Sequence, residues 1–320
     1  MAAITNTYKT ATVIGMREDL SDLISNISPT ATPFTTAAGR GKKAKATRVE
    51  WQLDSLAAAD NTNYQLEGDD VTFPVVSPTS RVGNICQILS KALILSDTAE
   101  EVDKAGRKSE LAYQIAKRGK ELKRDLEKIT IGTNQGASTA DPRKMACMPA
   151  FLRTNVVDGG GAAADPSAPS GGLYTGTRTA GTTQTFTEDL LKDALQQMYT
   201  SGGDVDGAVL MVDPTQKTIA STFAGIATPF KNVGSGQATI VGAVDVYVSD
   251  FGEISIVPNR FQRSLDAWVL DFALIRLRDL RPYQVKDLAK TGDATKKYMV
   301  TETTLQVDNE AGLALITDLV

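Results

Sequence analysis

Asp204, Asp206 and Asp213 are the carboxylates whose spacing comes nearest to a cation site. The first two flank a glycine-rich turn and the third follows seven residues on. Oxygen donors of this kind suit a hard cation, and would make the chain a soluble cation-dependent hydrolase. The same residues are also ordinary turn formers. Asp69–Asp70 and Glu100–Glu101 are adjacent pairs, which point apart on a strand or a helix and so suit a solvated surface better than an acid–base couple. Lys91 sits at the edge of an apolar run, as a perturbed amine or as a snorkelling side chain. The chain has no histidine. That removes every Ser–His or Cys–His nucleophilic pair, every imidazole ligand and the imidazole general base. The triple glycine 159–161 lacks the lysine and the strand–helix setting of a phosphate loop. Cys86 and Cys147 make no disulfide framework and are expected reduced and buried. No catalytic residue, cofactor or metal site follows, and no enzyme is expected.

The elements that could position such residues come from a globular composition, 42% hydrophobic and 22% charged. The net charge of -4 argues against a surface built throughout for nucleic acid. One local basic cluster stands out: Arg40, Lys42, Lys43, Lys45 and Arg48. It is expected to face another subunit or a polyanion. No apolar stretch of about 18 residues occurs, so no transmembrane helix is predicted. The start lacks a signal peptide's basic region and apolar run.

Residues 1–45 read as an extended arm. Asp19 to Ile27 can hold a short helix, with Leu20, Leu23, Ile24 and Ile27 on one face. Over 47–56, Val49, Trp51 and Leu53 alternate with polar residues, as in a half-buried strand. Val71, Phe73 and Val75 alternate again, and 82–95 is an apolar return. The whole of 47–95 resembles a long hairpin that cannot bury its own faces. Val49, Trp51 and Leu53 are therefore expected to stay exposed until a neighbour covers them. A helix is predicted over 97–131. Leu111, Ile115, Leu122, Leu126 and Ile129 form one stripe, and the rod would be about 50 Å long. Residues 158–184 are glycine-rich, and only Leu173 and Tyr174 are large apolar residues there. That composition suits a mobile loop or a weak hairpin. Helix, strand, helix and hairpin follow over 187–257, with Thr187 as a cap. Strands are predicted at 267–274 and 275–280. Lys297–Val307, with Met299, Thr301, Thr303, Leu305 and Val307 on one face, then turns at 309–312 into a last strand, as a hairpin.

This order of elements resembles that of tailed-bacteriophage major capsid proteins, which share the Johnson (Hong Kong phage) fold. The resemblance covers essentially the whole chain. It implies an α+β fold with an N-terminal arm (1–46), an extended loop (47–95), a peripheral domain carrying the spine helix (96–133 and 273–310) and an axial domain (134–272 and 311–320). The stretch 275–316 looks like the family's closing segment, in which a long strand ends near an acidic residue such as Glu302. The last strand then rejoins the axial sheet. The implied function is a shell protein assembling into hexamers and pentamers of an icosahedral head around double-stranded DNA. The implied partners are further copies of the chain, a portal, decoration proteins and a separate scaffolding protein, the last suggested also by Met1 and the lack of a long charged leader. No membrane is implied. The implied location is the virion, assembled in the host cytoplasm. An encapsulin-like nanocompartment of the same fold is the alternative. Predicted contacts between subunits are Val49, Trp51 and Leu53, then Asp69 and Asp70 against Arg276, Arg278 and Arg281 of a neighbour. Some relatives cross-link through a lysine in the extended loop. None occurs here between Lys45 and Lys91, so that chemistry is not carried over.

Overall fold

The computed structural model describes residues 31–68, 70, 73, 75–102, 108–223 and 246–320. The expected helix at 19–27 and the residue Asp69 lie outside them.

The longest helix, α3 (Glu110–Ile131), begins where Ser109 is extended and its hydroxyl accepts from the Ala112 N–H at 3.2 Å. Its 22 residues make a rod of about 33 Å. The single helix expected over 97–131 is therefore corrected. Asp97–Glu101 form a separate short helix, α2, capped by Ser96, and Val102 is already extended. Glu100 joins the two. Its Oε2 accepts from the backbone N–H groups of Glu110 and Leu111 at 3.0 and 3.2 Å. The acidic lead-in thus caps the long helix from outside instead of lengthening it, which suits the helix's positive end.

The stripe of α3 lies on a four-stranded sheet. Its order is β1 (Gly39–Arg40), β10 (Ile275–Asp287), β11 (Ala294–Val307) and β4 (Gln87–Ser96). Leu122 and Leu126 are buried with Leu89, Leu277 and Leu305 beneath the helix. Two strands join this sheet from outside the segments expected to build it. β4, expected in the extended loop, pairs with β11 from Gln87↔Thr303 to Ser96↔Ala294. β1, expected in the arm, pairs with β10. β11 also departs from simple alternation: every residue from Met299 to Val307 is buried, because it is an inner strand covered on both faces.

The second sheet has six strands: β5 (Val156–Val157), β12 (Ala314–Ile316), β9 (Ala267–Leu270), β6 (Val209–Val212), β8 (Gly252–Pro258) and β7 (Val246–Ser249). Helix α5 (Glu188–Thr200) packs on it. Leu191, Leu195 and Met198 are buried with Leu210, Ile256, Val269 and Ile316. Thr187 caps α5, as its sequence predicts. Helix α6 (Pro214–Ala220) opens with Pro214, which needs no N–H partner there. β7 and β8 form the predicted hairpin. The last two strands do not. A short 3-10 turn at Glu310–Gly312 carries the chain from β11 in one sheet to β12 in the other, where β12 pairs with β9 and β5.

Candidate assembly surfaces

The extended loop divides into a covered root and a bare tip. At the root, β2 (Arg48–Leu53) pairs antiparallel with β3 (Ser80–Ile85). Val49 is only 4% exposed, beside Ala44 and Cys86. Trp51 is half-buried, and its ring centroid lies 6.5 Å from that of Tyr174 and 6.4 Å from that of Phe151. Phe151 belongs to the short helix α4 (Met148–Phe151). Leu53 also packs partly against the main core. The expectation that these three stay exposed until a neighbour arrives is corrected: their own chain covers Val49 fully, and Trp51 and Leu53 in part. The rest of the wall over Trp51 comes from the glycine-rich stretch, whose large apolar residues, Leu173 and Tyr174, are both buried. Glycine allows the close approach. A Cβ at Gly172, whose φ is +78°, would sit 2.9 Å from the Arg81 carbonyl oxygen of β3.

Beyond Leu53 the described residues form no strand until Ser80. Phe73 and Val75, expected in a strand, are not in one. Leu56 is 98% exposed, Tyr64 79%, Leu66 77%, Phe73 89%, Val75 96% and Val76 88%. Asp70 is exposed on the same stretch.

The arm is anchored by a buried carboxylate. Helix α1 (Pro33–Ala37) has no side-chain cap of its own. Glu127 of α3 supplies one, accepting from the N–H groups of Phe34 and Thr35 at 2.8 and 2.7 Å. It also accepts from the Asn259 side-chain amide at 2.7 Å. Arm, spine helix and the segment after β8 thus meet at one fully buried side chain. Past α1, Arg40 pairs with Asp279 at 3.3 Å. Lys42, Lys43 and Lys45 are exposed. Arg48 is turned inward onto Glu50 and the Gly171 carbonyl. A groove of about 500 Å³ runs between α3 and β10, lined by Ile115, Gly119, Leu122 and Tyr283, with Arg40 and Lys123 also on its wall.

The three arginines expected to reach a neighbour's acids are engaged at home. Arg276 pairs with Asp308 at 2.8 Å. Arg278 donates to the Lys42 carbonyl at 2.9 Å and to Gln306 at 3.2 Å. Arg281 pairs with Glu302 at 2.8 Å. Glu302, itself buried, also holds Arg143 at 2.7 Å. Arg276 and Arg281 thus have carboxylate partners just past β11 and on it, and Arg278 has neutral ones, all within the chain.

The residues that suggested catalysis do structural work. The Asp204 carboxylate accepts from the Asp206 N–H, and that of Asp206 from the Glu253 N–H. Asp213 caps α6 through the Thr215 N–H. Among the described residues no cluster of three or more His, Cys, Asp or Glu could hold a metal ion. No helix there is long and apolar enough to cross a membrane. Lys91 Nζ meets Asp125 at 2.6 Å, tying β4 to α3. Both cysteines are free and buried, and burial pushes the Cys86 thiol up to about 11, helped by the negative charge of Glu302.

The family of SU10 major capsid proteins matches this sequence over residues 3–320. The chain belongs to that family. The major capsid protein of Escherichia phage Phieco32 is 31% identical over 241 residues, 66% of this chain and 67% of that one. Among solved structures, the Cyanophage A-1(L) capsid asymmetric unit superposes with a TM-score of 0.64 at 12% identity, covering 95% of this chain and 97% of that one. Mycobacterium phage Che8 gives 0.60 at 14% identity over 95% and 98%. The chain is thus a major capsid protein, a structural component of a phage virion, with the fold the resemblance implied. Family membership displaces both the hydrolase and the nanocompartment alternatives.

Two features of this capsid protein escape the sequence. Glu127 sits among lysines on a helix and reads as a solvated charge. Its only local sign is its position beside the apolar stripe, next to Leu126. The Arg143–Glu302–Arg281 cluster joins residues far apart in the chain, and no local pattern marks it.

Proposed function

We propose that this capsid chain builds the hexamers and pentamers of an icosahedral tailed-phage head, assembled in the host cytoplasm and enclosing double-stranded DNA. The bare tip of the extended loop carries this reading. Six large apolar side chains lie exposed within 56–76. Exposed apolar patches of this kind mark association surfaces, and none of the described residues covers them. The occupant is a neighbouring copy, whose spine helix and long sheet offer the complementary apolar groove. Scaffolding, portal and decoration proteins are the remaining partners of such a head, and the basic arm residues Lys42, Lys43 and Lys45 are placed to meet DNA or a neighbour. In this reading the extended loop is best bounded at 47–86. The peripheral unit takes 39–46, 87–131 and 273–310, and the axial unit takes 132–272 and 311–320.

Negative-stain microscopy of the expressed full chain tests the proposal. Closed shells or ring-shaped capsomers are expected, and particles recovered from infected cells should contain DNA. A chain that remains monomeric or dimeric at high concentration would overturn the reading.

A further inference from the structure

The outward face of α3 collects positive charge that nothing among the described residues neutralises. Lys117, Lys120, Arg124 and Lys128 follow spacings of 3, 4 and 4, which places them on one face of a helix. The three lysines are exposed, while the Arg124 guanidinium lies over the Phe261 ring, 5.5 Å from its centroid. The acids of the same helix are used elsewhere. Glu121 holds Arg118 at 2.7 Å, Asp125 holds Lys91 at 2.6 Å, and Glu127 is buried against the arm. Among the described residues, Lys117, Lys120, Lys123 and Lys128 enter no ion pair. Lys123 stands at the edge of this face and shares the groove wall with Arg40. All this sits on a chain whose net charge is -4.

We propose that this face of α3, with Lys117, Lys120, Arg124 and Lys128 as its axis, binds the phosphate backbone of duplex DNA without reading sequence, and is the face the shell turns to its genome. The proposal rests on the capsid reading above. The chemistry is that of backbone contact. Lysine ammonium groups are point charges that approach phosphate from many angles, and the stripe has no Asn, Gln or paired arginine fork to read base edges. Lys117 to Lys128 spans about 16 Å of helix. Duplex DNA presents a phosphate about every 1.7 Å of its axis, so the stripe meets several at once in any register.

The test uses unassembled full-length chain and fluorescein-labelled 30-base-pair duplexes of two unrelated sequences. Affinity is measured from 50 to 200 mM NaCl. Each phosphate contact contributes about -0.9 to the slope of log affinity against log salt. The triple variant Lys117→Gln, Lys120→Gln, Lys128→Gln should flatten that slope by about 2.7, so the loss of affinity across this salt range shrinks about 40-fold. Both duplexes should be affected equally. Lys192→Gln on α5 should leave the slope unchanged. The triple Lys→Arg variant should restore it and serves as a control for folding. An unchanged slope in the triple Gln variant overturns the proposal. So does displacement of the duplex by poly-glutamate at equal charge concentration, which would assign the face to an acidic protein segment. Shell formation is scored separately. Normal shells with an unchanged slope would sink this surface and leave the capsid reading intact.

Discussion

The root and the tip of the extended loop are one hairpin in sequence and two different materials in the fold. The root has a wall. Phe151, Leu173 and Tyr174 close over Trp51, and Val49 is sealed beside Ala44 and Cys86. The tip has comparable apolar side chains and no wall, with Leu56 and Val75 nearly fully exposed. Alternating hydrophobicity therefore says that a face will be buried, and leaves open whether the same chain or another does the burying. The difference lies in a distant glycine-rich stretch that reaches the root and stops short of the tip.

The contrast is broken most sharply at Val49. Val49→Asp would place an unpaired charge in the sealed root and cost about 3–5 kcal/mol. The isolated subunit should lose its cooperative melting transition, measured by circular dichroism. A melting curve like that of the parent would mean the root is as open as the tip.

Cys86 gives a smaller effect with a defined pH window. Its thiol is held neutral, with a folded value of about 11 against an ordinary 9.0. A raised acid favours folding while it stays protonated. The contribution is therefore complete below pH 9 and is lost as pH rises through 11. A tenfold change in proton affinity corresponds to about 1.4 kcal/mol, so the full contribution is about 3 kcal/mol. Urea titrations of the parent and of Cys86→Ala should diverge in their pH dependence over this window, the parent falling more steeply. Parallel curves would count against a sealed root.

The smallest effect on the subunit should come from the tip. Changing Leu56, Phe73 and Val75 together to serine should move subunit stability by about 0.5 kcal/mol or less, as for exposed positions generally. Particle formation should nevertheless fail, scored by light scattering. A large drop in subunit stability would show that the tip is packed on its own chain.

Much of the fold is legible in local patterns. The Thr187 cap, the 246–258 hairpin and the apolar stripe of α3 follow from spacing and cap chemistry. The start of α3 is ambiguous because acids at 97–101 fit a helix's first turn equally well as a lead-in and as a separate capping element. Ser109, directly before the stripe, is the better signal. β11 looks half-wet because Thr301, Glu302, Thr303, Thr304 and Gln306 are polar, yet all are buried. Thr301 and Thr303 donate to the Arg281 and Arg278 carbonyls of β10, Gln306 to Asp308, and Glu302 holds Arg281 and the distant Arg143, pairings that alternation along one strand does not mark. The assembly surface is legible as a chemical type but not in its place along the hairpin, for the same reason.

The hairpin of β10 and β11 breaks register twice, between Asp279 and Arg281 and between Arg281 and Gln284. Pro282 falls inside the second break, where it has no N–H to give to the ladder. From Pro282 outward every residue of β10 is exposed, while the inner half is held by Arg276, Arg278 and Arg281. Bulges concentrate twist and bending at a point. The bend therefore falls on β10 at the Arg281–Glu302 pair, while β11 stays zipped to β4 from Thr303 out to Ala294. Beyond the two residues at which β1 pairs with it, β10 is the border of its sheet, and a bend with a proline at that border blunts it as a template for another strand.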